Sequence, residues 1–215
     1  SPYLQLAGIE GYEGLLVGKH RDQDLIAVRA FINDLITLTP QADTEGLFAG
    51  EQILLSAGGS AYFDLVGRGF EQTMQLSRPV TAILRSGCYV THDHGFYYHL
   101  LQEMQTRESV VKADNLRPAL EVWSMVQSRP EPDLAILTMG KRDASYDIDL
   151  PFPVKTHRPG DTSQPFDLPA GCKIEKMNDQ HAYLRLPKDS AICASLQVGD
   201  LVACGISHPC TTFDK

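Results

Sequence analysis

Basic charge is scarce in this sequence. Its 19 lysines and arginines face 27 aspartates and glutamates, a formal net charge of −8. No Lys/Arg cluster exceeds the pair Lys141 and Arg142. A nucleic-acid binder carries a basic stripe, so nucleic acid is excluded as an expected partner, and an anionic membrane surface with it. No apolar run approaches the roughly 18 residues that span a bilayer. No basic, apolar, small-residue leader opens the chain. There is also no Cys-x-x-Cys pair, which excludes a zinc ribbon. The five cysteines (88, 172, 193, 204 and 210) are odd in number and scattered. Together these absences favour reduced thiols and a cytoplasmic location. Internal repeats and low-complexity segments are absent as well.

What is present is ordinary globular composition: 43% hydrophobic and 21% charged residues in a chain of 215. At about 150 residues per domain this is roughly 1.4 domains, too long for one minimal module and short for two. The first half alternates strand and helix signals. The apolar run from Tyr3 to Ile9 reads as a strand. Leu25, Val28, Ile32 and Leu35 recur at helical spacing and predict a helix from Arg21 to Leu38, ended by Pro40. Strands are expected at 52–55 and 81–84, with a helical turn over 61–67 between them. This βαβαβ order implies parallel strands whose functional loops lie at their carboxyl ends. After about Leu116 the pattern changes to short alternating runs at 120–126, 134–137, 182–186 and 201–204, which predict antiparallel β structure. Five of the 13 prolines crowd into 151–169, read as an irregular connection. The expected division is 1–113 and 114–215.

Four constellations could carry chemistry. Ser56-Ala57-Gly58-Gly59-Ser60 follows a strand, and its backbone N–H groups could close on an anion; a plain strand-to-helix turn is the alternative. Arg85-Ser86-Gly87-Cys88-Tyr89 follows the next strand, and two such loops can face one ligand, although Tyr89 can equally be a core or rim aromatic. His92-Asp93-His94 could present two imidazoles to a metal if extended, but exposed loop histidines are the preferred reading. His208-Pro209-Cys210 places an imidazole and a thiolate two apart on an extended segment, two good zinc ligands; a buried cysteine beside a satisfied histidine is the competing reading. Lys141 and His181 stand alone, one in a turn and one at the surface.

Taken in order, these pieces resemble the D-serine dehydratase and D-threonine aldolase family of metal-activated pyridoxal-phosphate enzymes. These have the alanine-racemase-like, fold type III architecture, and the bacterial D-serine deaminase-like branch is the nearest in pattern. The segments carrying the resemblance run from Leu6 to Gly14, Ser56 to Ser60, Leu84 to Tyr89, Gly140 to Asp147 and Asn178 to His181. The last is Val198-Gly199-Asp200-Leu201-Val202 leading to His208-Pro209-Cys210-Thr211-Thr212.

The resemblance implies the second half of a (β/α)8 barrel followed by a mostly antiparallel C-terminal β domain. It implies pyridoxal 5'-phosphate held around Ser56, Gly58, Gly59, Ser60, Gly87, Cys88 and Tyr89, with Tyr12 near the ring. His208 and Cys210 would ligate Zn²⁺ or Mn²⁺. Cysteine rather than aspartate at 210 favours the dehydratase side: β-elimination on D-serine to pyruvate and ammonia. Retro-aldol cleavage of D-threonine type is the alternative on the same scaffold, and a non-catalytic ligand-binding or partner subunit is the third. The Schiff-base lysine is expected upstream of Ser1. Lys155, in Val154-Lys155-Thr156-His157, is read as a coincidental look-alike, so no catalytic residue is assigned within the chain. The expected partners are a small D-amino acid, the N-terminal half of the same enzyme, and a second copy in a homodimer.

Overall fold

The computed structural model describes residues 3–16, 18, 21–71, 75–107 and 116–215. The expected boundary between 113 and 114 lies outside these. The described residues fall into two compact units. One holds the chain up to Gly87 with the end of α4 from Met104; the other holds Cys88 to Glu103 and the chain from 116 onward.

The first unit is built on three parallel strands, β1 (Gly8–Glu10), β2 (Ile53–Ala57) and β3 (Val80–Leu84), in the order β1-β2-β3. The central strand is the apolar one: Ile53, Leu55 and Ala57 are wholly buried. Only the end of the run from Tyr3 to Ile9 pairs, and Tyr3 and Leu4 are exposed. Helix α1 (Arg21–Thr44) turns Val28, Ile32, Leu35, Thr39 and Ala42 inward. Helix α2 (Phe63–Phe70) lies so close to it that a Cβ on Gly69 would sit 2.4 Å from the Ile32 side chain.

Pro40 does not end α1. The helix runs through it to Thr44. A proline inside a helix loses one hydrogen bond and costs about 3 kcal/mol. The extra turn buries Ala42, which joins Phe48 and Ile53 in an apolar cluster. Around the proline, the Thr39 hydroxyl donates to the Leu35 carbonyl at 2.7 Å and the Thr44 hydroxyl to the Pro40 carbonyl at 2.9 Å. The actual stop comes at Gly46, whose φ of +67° lets Leu47 N–H reach the Ala42 carbonyl and its own N–H reach that of Asp43. That pair of bonds is a Schellman ending.

The second unit begins with α3 (Cys88–Thr91) and the first turns of α4 (Phe96–Arg107). A seven-stranded antiparallel sheet follows. Its strands are β4 (Glu121–Glu131), β5 (Leu134–Leu137), β6 (Phe152–His157), β7 (Phe166–Asp167), β8 (Lys173–Met177), β9 (Ala182–Arg185) and β10 (Leu201–Gly205). Their spatial order is β7-β6-β10-β4-β5-β9-β8. Val126, Leu137, Leu184, Val202 and Ile206 are wholly buried in its core. Short helices α5 (Ala191–Ser195) and α6 (Pro209–Phe213) flank β10. The expected second-half-barrel plus antiparallel β organisation is thus present.

The proline-rich stretch 151–169 is not irregular throughout, because it contains β6 and β7. Pro153 is tolerated in β6 because it stands opposite Cys204, where the pairing with β10 shifts register; a proline survives in a sheet at such irregularities. The other four prolines fall outside the two strands. Lys155 lies on β6, and its ammonium contacts the Glu121 carboxylate at 2.6 Å.

Replacing Pro40 with alanine restores a helix donor and removes a clash. Pro40→Ala should raise the denaturation midpoint, by about 1–3 kcal/mol of stability, read from urea unfolding by circular dichroism. A lower midpoint would show that the proline ring itself supports the core.

Candidate functional site

In the first unit, the chain leaving β2 turns through Gly58 (φ +116°) and Gly59. The Ser86 hydroxyl, from the loop after β3, bridges the Gly58 and Gly59 carbonyls at 3.2 and 3.1 Å. A Cβ on Gly58 would lie 3.0 Å from that hydroxyl, which leaves glycine as the residue that fits. Arg85 ties the neighbouring loops, with Nε donating to Ser56 Oγ at 2.9 Å and a terminal nitrogen to the Gly11 carbonyl at 2.6 Å. The structure therefore brings the two glycine turns together. The Tyr12 ring lies against Gly59, where a Cβ would approach it to 3.0 Å. Ser60 is buried, and Gly87 faces open space. The N–H groups of Gly58, Ser60 and Gly87 donate to no described residue. The Gly59 N–H is engaged: it donates to Glu13 Oε1 at 2.6 Å. Glu13 is wholly buried, and its other carboxylate oxygen has no partner among the described residues.

In the second unit, the His92-Asp93-His94 segment is not an exposed loop. His92 (φ +54°) and Asp93 are buried. The Asp93 carboxylate accepts from the N–H groups of Gly95 and Tyr97 and so caps the start of α4. Its burial raises its pKa against those hydrogen bonds. The His94 ring packs on Gly205 of β10, where a Cβ would fall 2.2 Å away, and burial lowers its pKa. These residues serve packing and capping.

His208 is delivered by β10, two residues beyond Ile206. Its backbone is extended, but the chain turns helical at once, so Cys210 lies within α6 rather than on an extended segment. Proline at the first helical position is pre-set for that turn, and the hydroxyls of Thr211 and Thr212 both donate to the His208 carbonyl. His208 Nδ1 contacts Asp147 Oδ2 at 2.5 Å, and the Thr211 hydroxyl donates to Asp147 Oδ1 at 2.9 Å. Partial burial works to raise the Asp147 carboxyl, but the bonds from His208 and Thr211 outweigh it, and its pKa lies below the ordinary value. The Nε2 of His208 makes no hydrogen bond to a described residue. The Cys210 sulfur touches that of Cys88 at 2.9 Å. Their shared S–H···S bond, then burial, pushes the Cys210 thiol up to about 11. Among the described residues, no group of three or more His, Cys, Asp and Glu side chains is placed to hold a metal.

Tyr89 follows Cys88 in α3 and is half-buried. Lys141 occupies a turn closed by Asp143, and its ammonium lies over the Tyr146 ring. His181 is half-buried in a polar cleft with Gln127, Thr138, Arg142, Asp143 and Gln180. Two residues escaped the sequence reading. Glu13 and Asp147 both lie inside quoted segments, each directly after a tyrosine, and nothing in the spacing singles out either acid.

Residues 119–215 match the family model described as "Putative serine dehydratase domain". No curated protein matches the chain in sequence. Among solved structures, D-threonine aldolase from Filomicrobium marinum superposes with a TM-score of 0.60 at 20% identity, covering 96% of this chain and 46% of that one. D-threo-3-hydroxyaspartate dehydratase from Delftia sp. HT23 gives 0.56 at 17% identity, with 95% and 50% covered. An alanine-racemase-like protein from Idiomarina loihiensis gives 0.58 at 14%, with 96% and 50% covered. The chain thus spans about half the length of these proteins and has their alanine-racemase-like fold over that span. The similarity to the serine dehydratase domain covers residues 119–215, and over the rest of the chain the likeness is one of fold.

The lowered Asp147 pKa fixes a pH dependence. The unfolded chain takes up this proton at higher pH than the folded chain. The stabilisation is therefore present above the unfolded value of about 3.9 and is lost as pH falls through the folded value. Denaturant midpoints of the wild type and Asp147→Asn should differ at neutral pH and converge below about pH 4. A constant separation at every pH would show that the carboxylate is not stabilised by its partners.

Proposed function

We propose that this chain is the C-terminal part of a pyridoxal-phosphate-dependent lyase that removes the elements of water from a β-hydroxy D-amino acid. D-serine is the substrate in this reading, and pyruvate and ammonia the products. The fold match to a D-hydroxyaspartate dehydratase and to a D-threonine aldolase supports this class, as does the serine dehydratase domain model over 119–215.

The observation that carries the metal part is the carboxylate–imidazole pair. A metal-ligating histidine usually gives its second ring nitrogen to a carboxylate, which sets its tautomer and orientation. Asp147 holds His208 in that way. In this reading His208 Nε2 and Cys210 Sγ ligate Zn²⁺ or Mn²⁺, and water or substrate fills the remaining positions. When bound, the metal supplies Lewis acidity for a departing β-hydroxyl, and the pyridoxal ring supplies an electron sink for the α-carbon.

The glycine turns suit a phosphate. The N–H groups of Gly58, Ser60 and Gly87, which donate to no described residue, and the Ser60 hydroxyl are donors around a turn whose positive φ at Gly58 suits glycine. Such N–H concavities bind anions. Glu13 takes one donor for itself and so fixes the turn rather than binding the anion. Tyr12, stacked against Gly59, borders the cradle on one side.

The test uses the full-length enzyme. Chelation should abolish pyruvate release from D-serine, and zinc should restore it. Asp147→Asn should weaken zinc binding by about 10–100-fold, read by competition with a chromophoric chelator. Full turnover in excess chelator would overturn the metal role. Cys210→Asp should shift product from 2-oxobutanoate and ammonia toward glycine plus acetaldehyde when D-threonine is supplied; glycine release by the wild type would instead favour the aldolase reading.

A further inference from the structure

Five cysteines are free in this chain, and two of them touch. Cys88 opens α3 and Cys210 lies in the first turn of α6, 122 residues later, and these short helices pack side by side. Their sulfurs are 2.9 Å apart. A disulfide needs about 2.05 Å, so closure asks for about 0.9 Å of movement by two side chains on single helical turns. Cys210 is exposed and Cys88 half-buried, so a small oxidant can reach the pair. Cys204 differs on each count: it is wholly buried in the β10 core, and burial pushes its thiol far up.

We propose that Cys88 and Cys210 form a redox-closable dithiol, a modification site whose reactant is a low-molecular-weight disulfide. One sulfur of the pair, as its thiolate, attacks that disulfide and displaces one thiol. The other then attacks the mixed disulfide and displaces the second. Two S–H bonds are lost and one S–S bond forms; the electron pair and both protons leave with the oxidant as two thiols. Closure ties the chain just after the Ser86-Gly87 turn to α6. It also withdraws the Cys210 sulfur from any metal held with His208, and this consequence rests on the functional reading above. The dithiol itself does not. In this account one thiol serves two states, as a metal ligand when reduced and as half of a disulfide when oxidised.

The experiment treats the full chain with excess oxidised glutathione and maps its peptides without reduction. A cross-linked peptide joining Cys88 and Cys210, two hydrogens lighter than the separate peptides and split by dithiothreitol, is expected. Cys88→Ser and Cys210→Ser should each eliminate it, and both chains should keep the wild-type circular dichroism. Complete glutathionylation of Cys210 with no link to Cys88 would overturn the proposal. A second arm measures zinc retention. Oxidation should lower it at least about tenfold in the wild type, and dithiothreitol should restore it. If the 88–210 link forms while zinc retention is unchanged, the dithiol stands and the assignment of Cys210 as a metal ligand fails.

Discussion

The bond between the His208 imidazole and the Asp147 carboxylate ties the exit of β10 to the 145–149 segment, and the sheet of the C-terminal unit makes that bond possible. Strand β10 runs through the middle of the sheet, paired on one side with β4 and on the other with β6. It ends where Ser207 exchanges hydrogen bonds with Asp149, its hydroxyl donating to the Asp149 carbonyl and accepting from its N–H. That double contact brings the 145–149 segment alongside the exit of β10, and Asp147 meets His208 there. Ser145 adds a second tie, its hydroxyl accepting from the His208 N–H. A buried sheet core thus sets the position of one imidazole, and a carboxylate sets its rotation.

The first unit solves a different problem with similar means. Parallel strands deliver two glycine turns to one end of the sheet, and polar side chains hold those turns to each other. Ser86 spans two carbonyls, Arg85 reaches Ser56 and Gly11, and Glu13 caps Gly59. Burying a carboxylate costs free energy unless it is hydrogen-bonded, so Glu13 is costly where it stands. Its bond to Gly59 offsets part of that cost. The result is a turn held in shape by the chain's own side chains, and under the proposed function such preorganisation spares a phosphate the entropy of ordering it.

Much of the fold was legible because periodicity reports burial. The spacing of Val28, Ile32 and Leu35 predicted α1, and Leu134 to Leu137 predicted β5. The failures share one cause, which is tertiary contact overriding a local breaker. Pro40 was read as a stop, but burying Ala42 repaid an extra turn. The prolines of 151–169 were read as loop, but a register shift in β10 accommodated Pro153. His92 and His94 looked exposed because polar residues usually are, whereas here Asp93 caps a helix and draws its neighbours inward. For the candidate site, the residue types were legible and their partners were not. Nothing in the spacing of His208 and Cys210 points 61 residues back to Asp147 or 122 back to Cys88. Such pairings exist only once the sheet has formed.

The account stands or falls on what His208 and Cys210 hold. X-ray absorption at the zinc edge of the zinc-loaded, reduced full chain tests this most directly. The account predicts a first shell containing an imidazole nitrogen at about 2.0–2.1 Å and a sulfur at about 2.3 Å, with the nitrogen lost in His208→Ala and the sulfur lost in Cys210→Ser. A shell of oxygen scatterers alone, unchanged by either substitution, would contradict it.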